Sequence, residues 1–172
     1  ALVVAGDPVT LTGADVGAHA VLVNANDIAV TGVRPRWFLA TVLFPEGVVE
    51  DDIRALYAGM RAALERHNIL LVGGHSEITG AVRRPIVSGH ILGFAPDGAF
   101  LRTSDTRTGD VIMQIGPTPV EGAAVVANEV AAAERSVPPA LWRAALNALD
   151  EPGICVVEPA LRATALGAHA LH

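Results

Sequence analysis

Three short stretches of this sequence set ligand-type side chains beside apolar runs. Asp7 follows Leu2–Val4 within Gly6-Asp7-Pro8. Asn24, Asn26 and Asp27 interrupt an otherwise apolar stretch between Val16 and Val30, and Gly73-Gly74-His75-Ser76-Glu77 directly follows Ile69–Val72. A carboxylate in an apolar segment is costly unless it is paired, hydrogen-bonded or metal-bound, so Asp27 calls for a partner. Two adjacent glycines let backbone approach a ligand closely. The donors are oxygen-rich with one histidine, which suits Mg²⁺ bridging nucleotide phosphates better than zinc or iron. Each stretch also has a plainer reading: an Asx-turn before Pro8, a solvent face for Asn24, Asn26 and Asp27, and a hairpin turn at Gly73-Gly74.

The elements that must position these residues follow from periodicity and punctuation. Leu2–Val4 reads as a strand stopping at Gly6-Asp7-Pro8. Asp15 is the expected cap of a helix running to about Val33, with Val16, Ala20, Val23, Ile28 and Val30 at roughly helical spacing. Trp37–Phe44 is aromatic and β-branched, hence a strand, ending at Pro45-Glu46-Gly47. Glu50–His67 is the clearest helix, with acids at its start, Arg66 and His67 at its end, and Ile53, Leu56, Tyr57, Met60, Ala63 and Leu64 on one stripe. Ile69–Val72 is expected to be a buried strand terminated by Gly73-Gly74, and Pro85–Phe94 another strand. A polar, turn-rich stretch between Phe100 and Gly109 suggests a boundary. Beyond it come a strand at Asp110–Ile115, helices at Val120–Arg135 and Pro139–Leu149, and a last helix near Pro159. The alternation predicts a mixed α/β fold, and the pattern leaves a parallel sheet and an α+β layered one both open.

Composition excludes several functions. The chain is 51% hydrophobic and 17% charged over 172 residues, enough to bury roughly two thirds of its unfolded surface. Its net charge of −6 argues against nucleic acid as a main partner. All twelve basic residues are arginine, so a P-loop lysine and a lysine Schiff base are both ruled out. Cys155 is the single cysteine, which removes intrachain disulfides and cysteine-based zinc sites; it reads as a small buried hydrophobe with no histidine in a nearby motif. No 18-residue apolar run is present, so a membrane partner is not expected and a cytoplasmic location is. His90 reads as a packed or surface residue. Gly116 with Glu121-Gly122 is not a phosphate loop, and His19, His67, His169 and His172 lack metal-ligand spacing.

Taken in order, these segments carry a family resemblance. Val23-Asn24-Ala25-Asn26-Asp27-Ile28-Ala29-Val30-Thr31-Gly32-Val33-Arg34-Pro35 resembles the "N-D-I-A-x-x-G-A-x-P" helix end of the AIR-synthase-like superfamily. Gly73-Gly74-His75-Ser76-Glu77 resembles its "G-G-[DEH]-T-x" loop, Val3–Pro8 its "T-T-D" strand end, and Thr108–Ile112 its "x-G-D-x-I" entry into a second domain. That superfamily includes aminoimidazole ribonucleotide synthetase, formylglycinamidine ribonucleotide synthetase, selenophosphate synthetase, thiamine-monophosphate kinase and the hydrogenase maturation protein that dehydrates a thiocarbamate. Trp37–Phe44 with Pro45-Glu46-Gly47 looks closest to the hydrogenase-maturation and AIR-synthase-related branch.

The resemblance implies an α/β, α+β-layered N-terminal ATP-binding and dimerisation domain over 1–102, followed by the start of the C-terminal domain over 103–172. It implies ATP and Mg²⁺ as cofactors, a small-molecule substrate and a homodimer. Asp7, Asp27 and Glu77 would be metal carboxylates, and Asn24, Asn26, Gly73, Gly74, His75 and Ser76 would bind the nucleotide. The γ-phosphate would pass to an amide- or carbamoyl-type oxygen. Two alternatives stand beside this: a thiamine-phosphate-type kinase, and a non-catalytic dimerisation or binding module keeping the fold alone. His75 occupies a position that is acidic in many members, so that metal ligand would be lost, replaced by the imidazole, or supplied by Glu77. The family's acidic "G-D-D-A-A" segment, its "H-D-x-T-x-G-G" loop and a maturation protein's C-terminal cysteine are all missing here, so the chain is expected to be a fragment.

Overall fold

The computed structural model describes residues 1–10, 15–129 and 137–172. Its elements, in chain order, are β1 (Leu2–Val9), α1 (Val16–Ala29), β2 (Pro35–Pro45), α2 (Glu50–His67), β3 (Leu70–Thr79) and β4 (Ile86–Phe94), then α3 (Val120–Glu129), α4 (Pro139–Leu146) and α5 (Val157–Ala165). The four strands form one sheet in the order β1-β4-β2-β3. β4 runs antiparallel to both β1 and β2, while β2 and β3 are parallel and joined through α2. The sheet is therefore mixed and layered against helices, which resolves the choice that periodicity left open.

Local chemistry explains each boundary. The Asp15 carboxylate accepts a hydrogen bond from the Ala18 N–H at 2.9 Å, satisfying one free donor at the start of α1. Glu50, Asp51 and Asp52 occupy the first turn of α2 and Arg66 and His67 its last, as the helix dipole favours. Asn68 then ends it in the left-handed region (φ 55°). α1 and α2 cross at Gly17, where any Cβ would lie 2.1 Å from the Leu56 carbonyl oxygen, so glycine permits the approach.

One face of the sheet is packed. Phe38, Val42 and Phe44 of β2, Val87 and Ile91 of β4 and Val9 of β1 meet Val21, Ala25 and Ile28 of α1 and Met60 and Leu64 of α2. Burial of each large apolar side chain there contributes about 1.5–3 kcal/mol. The other face is barely covered: Leu2, Val4 and Phe94 are all more than half exposed.

The structure corrects several sequence expectations. β1 continues through Asp7 and Pro8 to Val9 rather than stopping at the turn, because β4 pairs with it along its whole length. α1 ends at Ala29, four residues early, and a tight turn through Gly32 (φ 78°) leads to Pro35. β3 does not stop at Gly73-Gly74; pairing with β2 from Trp37↔Leu70 to Pro45↔Thr79 carries it through both glycines, across an irregularity at Phe38/Leu39. Nor is β3 buried: Leu70, Leu71 and Val72 are each over half exposed, since it is an edge strand beyond the helix layer. Asp110–Ile115 forms no strand, and Val111, Ile112 and Met113 stand almost fully exposed. α4 closes at Leu146. The expected helix over Val120–Arg135 is seen through Glu129, and its remainder lies outside the described residues.

Candidate functional site

The candidate site is built at the β1 edge of the sheet. Asp7 sits opposite Gly89 of β4, on the helix-facing side of β1 together with Val3, Ala5 and Val9. Asn24 comes down from α1 onto this position and is fully buried. Its Oδ1 accepts the Asp7 N–H at 2.9 Å, and its Nδ2 donates to the Asp7 carbonyl at 3.1 Å and to the Ala20 carbonyl at 2.8 Å. Asp27 lies one helical turn further along the same side of α1. Its carboxyl reaches the exposed rim, yet its pKa is raised from the ordinary value, first by partial desolvation and then by the negative charge of Asp7. Among the described residues no arginine or histidine pairs with either carboxylate. Two adjoining acids without a counter-cation are a fit for a hard divalent ion.

Asn26 points elsewhere. Its Nδ2 donates to the Ile154 carbonyl at 2.7 Å and its Oδ1 accepts the Val156 N–H at 2.8 Å, so it fastens the segment leading into α5. Both N–H groups of Asn24 are donated to backbone, whereas Asn26 commits one N–H and one oxygen lone pair to its clasp and keeps a second N–H.

The glycine stretch lies at the opposite edge. Asp7, Gly89, Ala40 and Gly74 share one row across the sheet, so Gly74 is three strand spacings, about 14 Å, from Asp7. Because β3 is extended, its side chains also split between faces. Ser76, on the helix side, shares a hydrogen bond with Tyr57 of α2. His75 and Glu77 point the other way, with His75 Nε2 3.7 Å from Glu77 Oε2. One chain therefore joins Asp7 to Asp27 but brings neither Glu77 nor His75 to them, and among the described residues no three metal-type ligands cluster. A cleft of about 330 Å³ lined by Thr31, Gly32, Phe100, Leu101, Arg102 and Thr164 holds none of these residues.

One contact was invisible in the sequence. Cys155 Sγ lies 3.7 Å from His67 Nε2, although 88 residues separate them, so the thiol does have a histidine neighbour. The His67 pKa is lowered, chiefly by burial and then by the adjacent Arg66. Nothing short of the fold could have paired them.

Comparison with known proteins adds the following. Residues 1–95 match the family model for the N-terminal domain of AIR synthase related protein. The carbamoyl dehydratase HypE of Rhodobacter capsulatus is 31% identical over 122 residues, covering 70% of this chain and 36% of that protein. The crystal structure of thiamine-monophosphate kinase from Stenotrophomonas maltophilia K279a superposes with a TM-score of 0.78 at 27% identity, over 99% of this chain and 55% of that one. The hydrogenase maturation protein HypE in complex with ATP superposes with a TM-score of 0.57 over 63% of this chain and 35% of that one; at 23% identity it speaks for the fold alone. The chain thus spans little more than a third of the length of the curated relatives it matches. Among the described residues no helix is long and apolar enough to cross a membrane.

Proposed function

The chain belongs to the AIR synthase related family, and from that premise we propose that it carries the ATP- and Mg²⁺-binding carboxylates of a phosphoryl-transfer enzyme. The observation that carries this reading is the Asp7–Asp27 pair: Asp7 on the helix-facing side of β1 and Asp27 one turn beyond Asn24 on α1, with Asp27 held above its ordinary pKa first by burial and then by the charge of Asp7. Such a pair is most stable with a cation between its members. A bound Mg²⁺ would supply positive charge to offset that of the transferred phosphate. Asp7 and Asp27 would hold it and orient it. We assign Gly73–Glu77 to the phosphates of a site shared between two copies of this chain, because that stretch lies at the far edge of its own sheet. Glu77 and His75 would be supplied there from β3.

The homodimer follows from the same edge. β2 and β4 are central in the sheet, so the edge of β3 with exposed Leu71 and Ile78 and the open sheet face are what a second copy would cover. Residues 1–102 are proposed as the nucleotide-binding and dimerisation unit, 103–172 as the beginning of the second, and the cytoplasm as the location. For the acceptor we favour an amide- or carbamoyl-type oxygen, in line with the 31% identity to a carbamoyl dehydratase. A kinase of the thiamine-phosphate type is the second reading, favoured by the likeness to a thiamine-monophosphate kinase over 99% of this chain.

Calorimetric titration of ATP, with and without Mg²⁺, against the chain and Asp27→Ala tests the carboxylate assignment. Magnesium-dependent binding lost in Asp27→Ala is expected; equal binding by both proteins would sink it. Labelled γ-phosphate separates the acceptor readings, since a kinase leaves the label on the acceptor and a dehydration releases it as inorganic phosphate.

A further inference from the structure

Asn24 spends both of its N–H groups on backbone carbonyls, and it is among the most completely buried polar side chains of the core. β1 is an edge strand, and at Asp7 one N–H and one C=O face away from β4, where nothing in the sheet can meet them. The Asn24 amide meets both, at 2.9 and 3.1 Å, doing for one residue what a neighbouring strand does for many. Its remaining N–H goes to the Ala20 carbonyl one turn back on α1, which fixes the amide plane. Room for this amide comes from Gly89, the residue opposite Asp7: a Cβ there would lie 2.5 Å from Asn24 Nδ2. Helical spacing then sets Asp27, three residues on, on the same side of α1.

We infer that Asn24 is a positioning residue, whose side-chain amide grips the backbone of Asp7 and so sets the Asp7 carboxylate beside Asp27. It is not a nucleotide ligand. The inference rests on the metal-site reading above and names how that site is held in shape. Outer groups that orient metal ligands typically change metal affinity 10- to 100-fold when removed, without touching the metal themselves.

The test uses the 172-residue chain with Mn²⁺·ATP as probe, followed by calorimetry and by the electron paramagnetic resonance signal of bound Mn²⁺. Three proteins are compared: the starting chain, Asn24→Ala, and Val21→Ala, a fully buried core truncation on the same helix that leaves the clamp intact. Amide hydrogen exchange at Asp7 is followed in each. Asn24→Ala is expected to expose the Asp7 amide to exchange, to weaken Mn²⁺·ATP binding about 10-fold or more, and to alter the Mn²⁺ signal. Val21→Ala should lose thermal stability while keeping both the affinity and the signal. Binding by Asn24→Ala at the starting affinity would overturn the inference and leave the metal reading standing. Equal weakening in Val21→Ala would reduce Asn24 to a stabilising residue and overturn it too. If the starting chain shows no Mn²⁺·ATP binding, the metal reading fails and the positioning role falls with it.

Discussion

The two edges of the sheet carry the same kind of cargo in opposite ways. At the β1 edge, Asp7's outward backbone groups are capped by Asn24, and α1 packs over the strand. At the β3 edge no helix side chain among the described residues does this for Gly73 or Gly74, and Leu70–Ile78 lies exposed throughout. The contrast teaches that ligand-type residues can be held by the chain's own core or left for something else to complete. A capped edge is rigid and self-sufficient, while an open one is a template for pairing.

Four substitutions sharpen or break that contrast. Gly89→Ala should be the most damaging, since the new methyl meets the Asn24 amide at 2.5 Å and the Phe38 ring at 2.7 Å, with packed core behind both. A loss of roughly 3 kcal/mol and a fall in Tm of about 10 °C are expected by differential scanning calorimetry. Gly74→Ala puts its Cβ 2.1 Å from the Ala40 carbonyl at a backbone φ of +151°, a tighter clash on paper. The open edge can shift outward to relieve it, so the expected loss is smaller, about 1 kcal/mol. A larger loss than for Gly89→Ala would break the comparison.

Asp27→Asn tests the charge at the capped edge. The folded-state pKa of Asp27 lies above the ordinary 3.8. Between those values the native chain holds more protons than the unfolded one, so stability falls as pH rises through that window. Asp27→Asn removes this deficit. Its Tm should exceed that of the starting chain at pH 7, by less than either glycine effect, and the gap should close as pH falls below 3.8. A Tm gap independent of pH would contradict the assigned cause. Val72→Lys, on the exposed strand, should leave stability within about 0.5 kcal/mol. Its effect belongs in sedimentation velocity, where it should shift a dimer towards monomer if β3 is the joining edge.

The same contrast marks what the sequence could reveal. α2 was legible to the residue, because acids, a 3.6-residue stripe and Arg66-His67 all agree. The strands' existence was legible too, from apolar runs. Their order was not: nothing in Ile69–Val72 says it will be an edge strand, since an apolar run looks alike whether it is covered or not. Gly73-Gly74 read as a stop because glycine usually punctuates, and here the ladder to β2 overrides it. At the site, Asp7 and Asp27 stood out as acids in apolar surroundings, and the fold puts Asp27 within electrostatic reach of Asp7. The asparagines beside Asp27 stood out equally, but amide side chains that serve backbone cannot be told from those that serve a ligand until their partners are known. Glu77 was drawn into the same set by residue type, and an extended strand sends it to the other face.

The clasp at Asn26 has a consequence for modularity. Residues 154–158 are fastened to the first unit by Asn26, by the Cys155–His67 contact and by the Arg34–Glu158 pair at 2.6 Å, and Val157 and Ala160 enter its main core. A polypeptide cut at the polar stretch near residue 102 would leave Asn26's amide facing water and a seat for Val157 vacant. A first unit lifted out and grafted onto another protein would therefore have to carry α5 along with it to keep this packing.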